Sequence, residues 1–517
     1  TYDRIKDMDF ENELTSKILD PIHGTIRLTM LEIAFINHPL FQRLRNIKQN
    51  SFLYKVFPSA VHSRFEHSLG VLHLSSEILN NLRLNAIRYQ KKYDDGHVFC
   101  HIDQIPKHNI QELRLAALMH DIGHGPVSHQ FESFMPSKHE FSDVLPKAFH
   151  SVIDVLSKPD QKVEHEQLSL LFSLMIYDDL RKQGKVDDEI KIENVLKIIE
   201  KRYGDQQIIE EINGEATDIL PLMTSIISSC PIDADRMDYL LRDGYFSGVK
   251  CGIYDYNRLF MSIVPVEEEG KLYLAYKESG IDSIAEFIGA RSSLFSQVYY
   301  HKTNRAFATM LSKLCELMQS KDPQNVIITD VSDRIVDPGV ESFIDVLKDF
   351  YLACSDDYFL NEKLGEWIDI SNTEAVNKKI LDDIINRHPW SKVYEAKHSV
   401  YKANIADKEN KAWKSQLTGL LTSVLQPHFK PHEFAVDIVS DCAFKDLDKT
   451  EVKLLVKDLK NRYEIKPLIE CGDKLNQYQI IKYCIRVFVD RDIKARVTPE
   501  IIYKINEIVV KQIALLN

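Results

Sequence analysis

Glycine is scarce in this sequence, at 18 of 517 residues, and neither a GxGxxG nor a GxxxxGKS/T string occurs. Because such glycine-rich loops cradle phosphates in dinucleotide-binding and P-loop folds, both folds are disfavoured. The eight cysteines include no CxxC pair, so neither a thiolate zinc site nor a redox pair is indicated. Free thiols in a reducing cytoplasm are the expected state.

Excess positive charge and long apolar runs are also lacking. The net charge is −12, so bulk charge attracts neither nucleic acid nor an anionic membrane, while a local basic patch stays open as an alternative. No apolar run approaches the roughly 20 residues that span a bilayer, and no signal-peptide pattern opens the chain. We therefore expect a cytoplasmic protein without a membrane partner.

The residue present in unusual number is histidine. The chain has 19 histidines, and 14 of them lie at or before His165. Neutral imidazole is a common metal ligand, and histidine exchanges protons near neutral pH. The asymmetry raises the question of a metal site in the N-terminal third.

The hydrophobic pattern predicts a mainly α protein with a few short strands. Apolar residues at spacings of three and four predict a helix that contains His67 and another that ends at His120. A buried helix is predicted from His165 to Tyr177, and one long amphipathic helix from Ser292 to Met318. Alternating or continuous apolar residues predict short strands at Lys271–Lys277 and Glu433–Val439.

The character of the chain changes after Met318, where proline-containing turns punctuate the sequence and lysine becomes frequent. We expect a helical core over residues 1–319 and a smaller α+β lobe over residues 320–517. At roughly 150 residues per domain, the length of the chain agrees with two or three such units.

Two histidines and two aspartates form a pattern typical of a metal site. His120 and Asp121 are adjacent at a helix end, His67 lies on an earlier helix, and Asp235 follows later. Two neutral nitrogens and two carboxylates make a neutral divalent site with open positions for water or a phosphate oxygen. A lone histidine is more often a core residue, but the combined order favours metal binding. The mixed ligands suit iron, manganese, zinc, nickel or magnesium.

The strings Arg64–Gly70 and His120–His129 resemble the HD-domain deoxynucleoside triphosphate triphosphohydrolase family. Shorter matches extend the resemblance from about residue 17 to residue 310: Asp20–Gly24, Phe41–Gln49, Val56–Pro58, His165–Gln167 and Tyr299–Lys302. The resemblance implies a helical HD core, a divalent metal, and hydrolysis of a dNTP to a deoxynucleoside and intact triphosphate.

The resemblance also implies roles for individual residues. His67, His120, Asp121 and Asp235 would hold the metal, while His124 would contact the α-phosphate. His165 would donate a proton to the leaving group, with Glu132, an aspartate in the family, as its carboxylate partner. The implied substrate-binding residues are Gln49, Arg64, His129, Arg236, Tyr239, Arg291 and Tyr299. Taken singly, these could be surface cations, loop histidines or core aromatics.

Family members use nucleotide effectors to assemble oligomers, which implies a homodimer or homotetramer here. Candidate effector-binding residues are Gln42, Arg45, Val56, Phe57, Arg258, His301, Lys302, Arg387 and Lys430. Asn37 and Leu19 depart from the family at these sites, and local salt bridges are an equal interpretation of the cations.

Three departures near the expected substrate leave its base and sugar open: Asn50, Phe295 and Tyr300. Asn50 replaces a leucine beside the sugar, and an amide there can hydrogen-bond to a ribose 2′-hydroxyl. Two alternatives therefore stand beside a dNTP triphosphohydrolase. One is an HD phosphodiesterase or phosphohydrolase acting on another nucleotide or on nucleic-acid ends, and the other is a non-enzymatic nucleotide sensor.

Overall fold

Helices dominate the computed structural model, which confirms the expected mainly α class. It describes residues 9–92, 96–154, 159–229, 231–320, 324–337, 341–370, 375–401, 407–442, 450–460, 462–470, 475 and 478–516. The helices are α1 (Met30–Ile36), α2 (Pro39–Gln42), α3 (Arg64–Lys92), α4 (Lys107–Met119), α5 (Lys138–Val144), α6 (His150–Asp154), α7 (His165–Lys182), α8 (Ile192–Ile199), α9 (Leu220–Ile227), α10 (Ala234–Ser247), α11 (Tyr256–Ser262), α12 (Ile281–Leu294), α13 (Lys302–Gln319), α14 (Val326–Asp333), α15 (Phe343–Ala353), α16 (Asp356–Tyr358), α17 (Leu364–Ile370), α18 (Ala375–Ile385), α19 (Asp407–Leu425) and α20 (Pro499–Ala514).

The strands form three small sheets. They are β1 (Ser16–Asp20), β2 (Gly24–Leu28), β3 (Ile209–Ile212), β4 (Glu215–Asp218), β5 (Ile263–Glu268), β6 (Lys271–Lys277), β7 (Ser391–Tyr401), β8 (Phe434–Cys442), β9 (Lys453–Lys457), β10 (Tyr463–Pro467) and β11 (Ile480–Val489). β1 and β2 form a hairpin, and β7, β11 and β8 form an antiparallel sheet in that order. The remaining sheet has the order β10-β9-β6-β4-β3, with β5 paired to β6.

Helix α3 lies at the centre of the N-terminal region and packs against α4 and α10. Phe65, Leu69, Leu72 and Leu79 share one face of α3 because they are spaced by three, four or seven residues. All four are buried. This packing brings the first turn of α3, the end of α4 and the start of α10 to one place.

The predicted elements are confirmed with one exception. Strand β6 spans Lys271–Lys277 as expected, and α7 contains the predicted buried helix. The single helix predicted from Ser292 to Met318 is wrong, because α12 ends at Leu294 and a π-helical turn leads to a break before α13. The backbone of His301 is not helical there (φ −55°, ψ 130°), and its ring accepts a hydrogen bond from the amide of Thr303 to cap α13.

Two hydrophobic clusters form the interior. The larger contains side chains from Phe10 to Trp390, and later residues including Leu454 and Phe488. The smaller lies between the β7-β11-β8 sheet and helices α19 and α20. The proposed division between residues 319 and 320 stays a prediction, since the larger cluster draws on both sides of it.

Buried reduced thiols agree with the expectation for cysteine. Cys251, Cys315, Cys354 and Cys484 are buried and reduced. Cys230 and Cys471 lie outside the described residues. Among the described residues, no helix is both long and apolar enough to cross a bilayer.

Candidate active site

The four predicted metal ligands meet where α3, α4 and α10 converge. His67 Nε2 lies 3.1 Å from Asp235 Oδ1 and 3.5 Å from Asp121 Oδ2. His120 Nε2 lies 3.6 Å from Asp121 Oδ1 and 3.8 Å from Asp235 Oδ1. The fold therefore gathers two imidazoles and two carboxylates around one small space.

Hydrogen bonds fix which ring nitrogen faces that space. Nδ1 of His67 donates to Asp238 Oδ2 at 2.8 Å, and Nδ1 of His120 donates to the carbonyl of Ala117 at 2.8 Å. The Nε2 atoms of both rings are buried and make no hydrogen bond within the described residues. Metal-binding histidines are usually oriented by a hydrogen bond from the nitrogen that does not bind the metal. The two Nε2 atoms are therefore suited to bind a divalent ion.

Asp238, which the sequence patterns did not single out, orients His67. It also accepts from His23 Nε2 at 2.6 Å and from Arg242 Nε at 2.9 Å. Burial alone would raise the pKa of Asp238, but Arg242 and the two histidines hold it well below its usual value. A Cβ on Gly70 would lie 1.8 Å from Asp238 Oδ1, so only glycine fits there. The signal in the sequence that could have identified Asp238 is its position three residues after Asp235.

The predicted catalytic residues lie beside the metal ligands. His165 Nδ1 is 2.6 Å from Glu132 Oε1, so the longer glutamate reaches its partner. Burial lowers the pKa of His165, but Glu166, Glu132 and Asp121 outweigh it and raise the pKa to about 9. The ring of His124 stacks on that of His165 with centroids 3.8 Å apart. Burial, Arg64 and His165 hold the pKa of His124 well below its usual value. The pKa values of the two stacked imidazoles are therefore shifted in opposite directions.

A cavity of about 470 Å³ opens beside these groups. Five predicted substrate-binding residues line it: Gln49, Arg64, His129, Tyr239 and Tyr299. The three positions that depart from the family line it too: Asn50, Phe295 and Tyr300. The cavity therefore joins the predicted catalytic and substrate-binding groups.

The three predicted phosphate-binding arginines are engaged with protein acceptors. Arg64 donates to Asp121, and through Nε to the hydroxyl of Ser128 at 3.1 Å. Arg236 pairs with Asp233, the N-cap of α10. Arg291 pairs at 2.9 Å with Asp441 of β8. A phosphate would have to share or replace these partners.

The patterns also missed two polar residues that line the cavity, Asp243 and Arg305. Asp243 accepts from Tyr299 and from His62 Nε2, the latter at 2.6 Å. Arg305 lines the cavity and binds Asp437 of β8 at 2.6 Å. No motif marks the pairing of Arg305 with Asp437, because the two residues are far apart in the chain.

The predicted effector residues fall into small local groups. Phe57 and His301 make an edge-to-face contact with ring centroids 6.0 Å apart. Arg45 donates to Gln42 at 2.9 Å. Arg387 donates to the carbonyl of Lys55, next to Val56, at 2.8 Å. The other three candidates lie at helix starts or ahead of β8: Arg258, Lys302 and Lys430.

Comparison with known proteins gives the class of this region. The HD domain family matches residues 64–243, the segment that supplies all four proposed metal ligands. This segment is therefore similar to an HD domain, and a divalent metal ion is the cofactor that its ligand atoms fit.

The relatives extend the resemblance beyond that domain. The chain is 27% identical to the uncharacterized protein MJ1154 of Methanocaldococcus jannaschii, over 90% of this chain and 88% of that protein. It is 27% identical to the deoxynucleoside triphosphate triphosphohydrolase SAMHD1 of Danio rerio, over 70% and 53% of the two chains. The chain is 28% identical to the human SAMHD1, over 58% of this chain and 44% of that protein. The chain thus spans about half the length of these named triphosphohydrolases, and the predicted resemblance is confirmed.

Proposed function

We propose that this chain hydrolyses dNTPs to a deoxynucleoside and inorganic triphosphate. The HD domain and the named relatives support a phosphohydrolase. One observation carries the finer proposal: Asp121 and Asp235 of the proposed metal-ligand set line the same cavity as His165, whose Nδ1 is held by Glu132.

The metal ligands would hold the Lewis acid of this reaction. His67, His120, Asp121 and Asp235 would hold a divalent ion, which, when bound, polarises a phosphate oxygen and lowers the pKa of a water. Arg64 keeps the Asp121 carboxylate oriented and offsets its charge. The neutral ring of His124 can donate a hydrogen bond to a phosphate oxygen without adding charge.

His165 is suited to protonate the leaving 5′-oxygen. Its Nδ1 is bound to Glu132, so Nε2 is the atom that releases the proton. Glu132 fixes the ring and favours the imidazolium before transfer. A positioned general acid of this kind contributes roughly 10²- to 10⁴-fold in rate.

The nucleoside would occupy the end of the cavity that contains Tyr239 and Tyr299. Their ring centroids lie 6.4 Å apart, which leaves apolar ring surface beside polar Gln49 and Asp243. The aromatic surfaces would pack against the sugar and base, while the polar groups would bind hydroxyls.

Product identity tests the proposal most directly. Metal-loaded protein is incubated with each dNTP, with and without a second nucleotide, and the products are separated. We expect deoxynucleoside and triphosphate, and chelated protein is the control. Monophosphate plus pyrophosphate, or no turnover under any condition, would contradict the proposal.

Ribonucleotide hydrolysis is the second candidate, and Asn50 favours it. Its side chain lines the cavity near Asp243 and gives this wall a polar character. A panel of ribonucleotides, cyclic nucleotides and single strands separates the candidates. Turnover of dNTPs alone would exclude the second.

We also propose that nucleotide effectors bind this protein and control its assembly into oligomers. The contacts of Phe57 with His301 and of Arg387 with the Val56 region bring together parts of the candidate effector sites. Mass in solution is measured with and without nucleotides. A nucleotide-dependent increase to a dimer or tetramer is expected, and a constant mass would contradict this part.

A further inference from the structure

A second cluster of metal-binding side chains lies beside the four HD ligands. We call His124, His129, Glu132 and His165 the outer cluster. One ligand atom from each of these residues lies within 4.8 Å of the others. Glu132 Oε1 is 2.6 Å from His165 Nδ1 and 3.3 Å from His129 Nδ1. Three imidazoles and a carboxylate are thus gathered in one place.

Two groups here lack the hydrogen bonds that burial normally requires. His124 is 1% exposed, and neither of its ring nitrogens makes a well-formed hydrogen bond within the described residues; its Nε2 is 3.4 Å from Asp121 Oδ1. Oε2 of Glu166 also lacks a hydrogen-bond partner there and lies 3.4 Å from His165 Nδ1. Buried polar atoms without partners are costly, so a ligand that engages them is favoured.

We propose that the outer cluster binds a second divalent cation and that zinc suits it best. Zinc accepts imidazole and carboxylate donors in a four-coordinate site. The cavity gives the ion a route, since His124, His129 and His165 line it. Asp121 faces both sites, with Oδ2 toward His67 and Oδ1 toward His124.

Occupation of this site changes what His165 can do. Zinc bound through Nδ1 of His165 would displace the proton from that nitrogen and leave a neutral ring, whose remaining Nε2–H is too weak an acid to protonate the leaving oxygen. His165 then ceases to be a proton donor, so the outer cluster acts as an inhibitory site. Binding is independent of the proposed function, whereas the inhibition rests on it.

Metal counting on the full chain tests the site. Protein stripped by a chelator is dialysed against zinc, and bound ions are counted without any nucleotide. We expect two ions per chain for the unaltered protein and one for His129→Asn or Glu132→Gln. His139→Asn is the matched control, because His139 makes a comparable exposed contact of 3.2 Å with Asp143. It should retain two ions.

Cobalt supplies a readout that surface binding would not give. Two increments of visible absorption are expected as Co²⁺ is added, and the second should vanish in His129→Asn, whose side chain is 61% exposed and tolerant of change. One bound ion in the unaltered protein, or two in both outer-cluster variants, would overturn the proposal.

Excess zinc gives the functional arm. Turnover with one ion is compared with turnover in excess zinc for each protein separately, so that a lower basal rate does not matter. The unaltered protein should lose most of its turnover, and His129→Asn should not. Two bound ions without turnover on any nucleotide would sink the proposed function and leave the second site standing.

Discussion

The proposed metal side of the cavity and its proposed nucleoside side are built differently. Residues between Asp20 and Arg242 hold the metal side through a buried network centred on Asp238. On the proposed nucleoside side, Arg305 lines the cavity and is bound to Asp437 of the C-terminal sheet. On this proposal the chemistry is preorganised by residues in the first half of the chain, whereas substrate fit depends on the C-terminal sheet.

The largest break in this comparison removes the metal side itself. The double variant His120→Ala, Asp121→Ala should abolish turnover. Loss of a residue that only hydrogen-bonds to a metal ligand costs up to roughly 100-fold, and loss of two ligands should cost more. Turnover and metal content are measured together, and circular dichroism checks the fold. Retained metal and turnover would contradict the assignment.

Glu132 is expected to have the next largest effect. Glu132→Gln should reduce turnover by roughly 10²-fold, because the amide neither favours the imidazolium nor fixes it as well. Activity should decline as the pH rises through about 9, where His165 loses its proton. In the variant this decline should move to lower pH. Glu132→Asp keeps the charge and should recover part of the rate; an unchanged pH profile in Glu132→Gln would exclude this role.

The network behind His67 can be disturbed without touching a ligand. Gly70→Ala places a Cβ against Asp238 and should weaken metal affinity by about 10- to 100-fold. Gly365→Ala is the control, because its Cβ would meet nothing within 4 Å. Isothermal titration with Mn²⁺ reports the affinity. Equal affinities in the two variants would show that Asp238 does not position His67.

The smallest effect is expected on the nucleoside side. Asp437→Asn should raise KM by about 10-fold and leave kcat nearly unchanged, since a hydrogen bond to a charged group is worth roughly 1.5 kcal/mol. Asp492→Asn removes a surface ion pair with Lys379 and should be silent. A larger effect on kcat than on KM would place Arg305 on the metal side instead.

This difference also explains what could be read from the sequence. His67, His120 and Asp121 lie in short motifs at helix starts and ends, so the local sequence was enough to predict them as metal ligands. Arg305 and Asp437 lie on separate elements, and their pairing depends on how the C-terminal sheet docks. The break at His301 was missed because its cap is a single side-chain contact inside an amphipathic pattern.

The parallel pairing of β9 with β6 has a consequence for biosynthesis. Residues 275–277 of β6 pair with residues 453–455 of β9. This part of the edge of β6 therefore has no partner until a strand much later in the chain is synthesised. At about 5–20 residues per second, translation leaves this edge open for roughly ten seconds or more. An exposed strand edge is a template for pairing with other chains. The nascent protein therefore passes through a period in which this short edge of β6 is open to pairing with other chains.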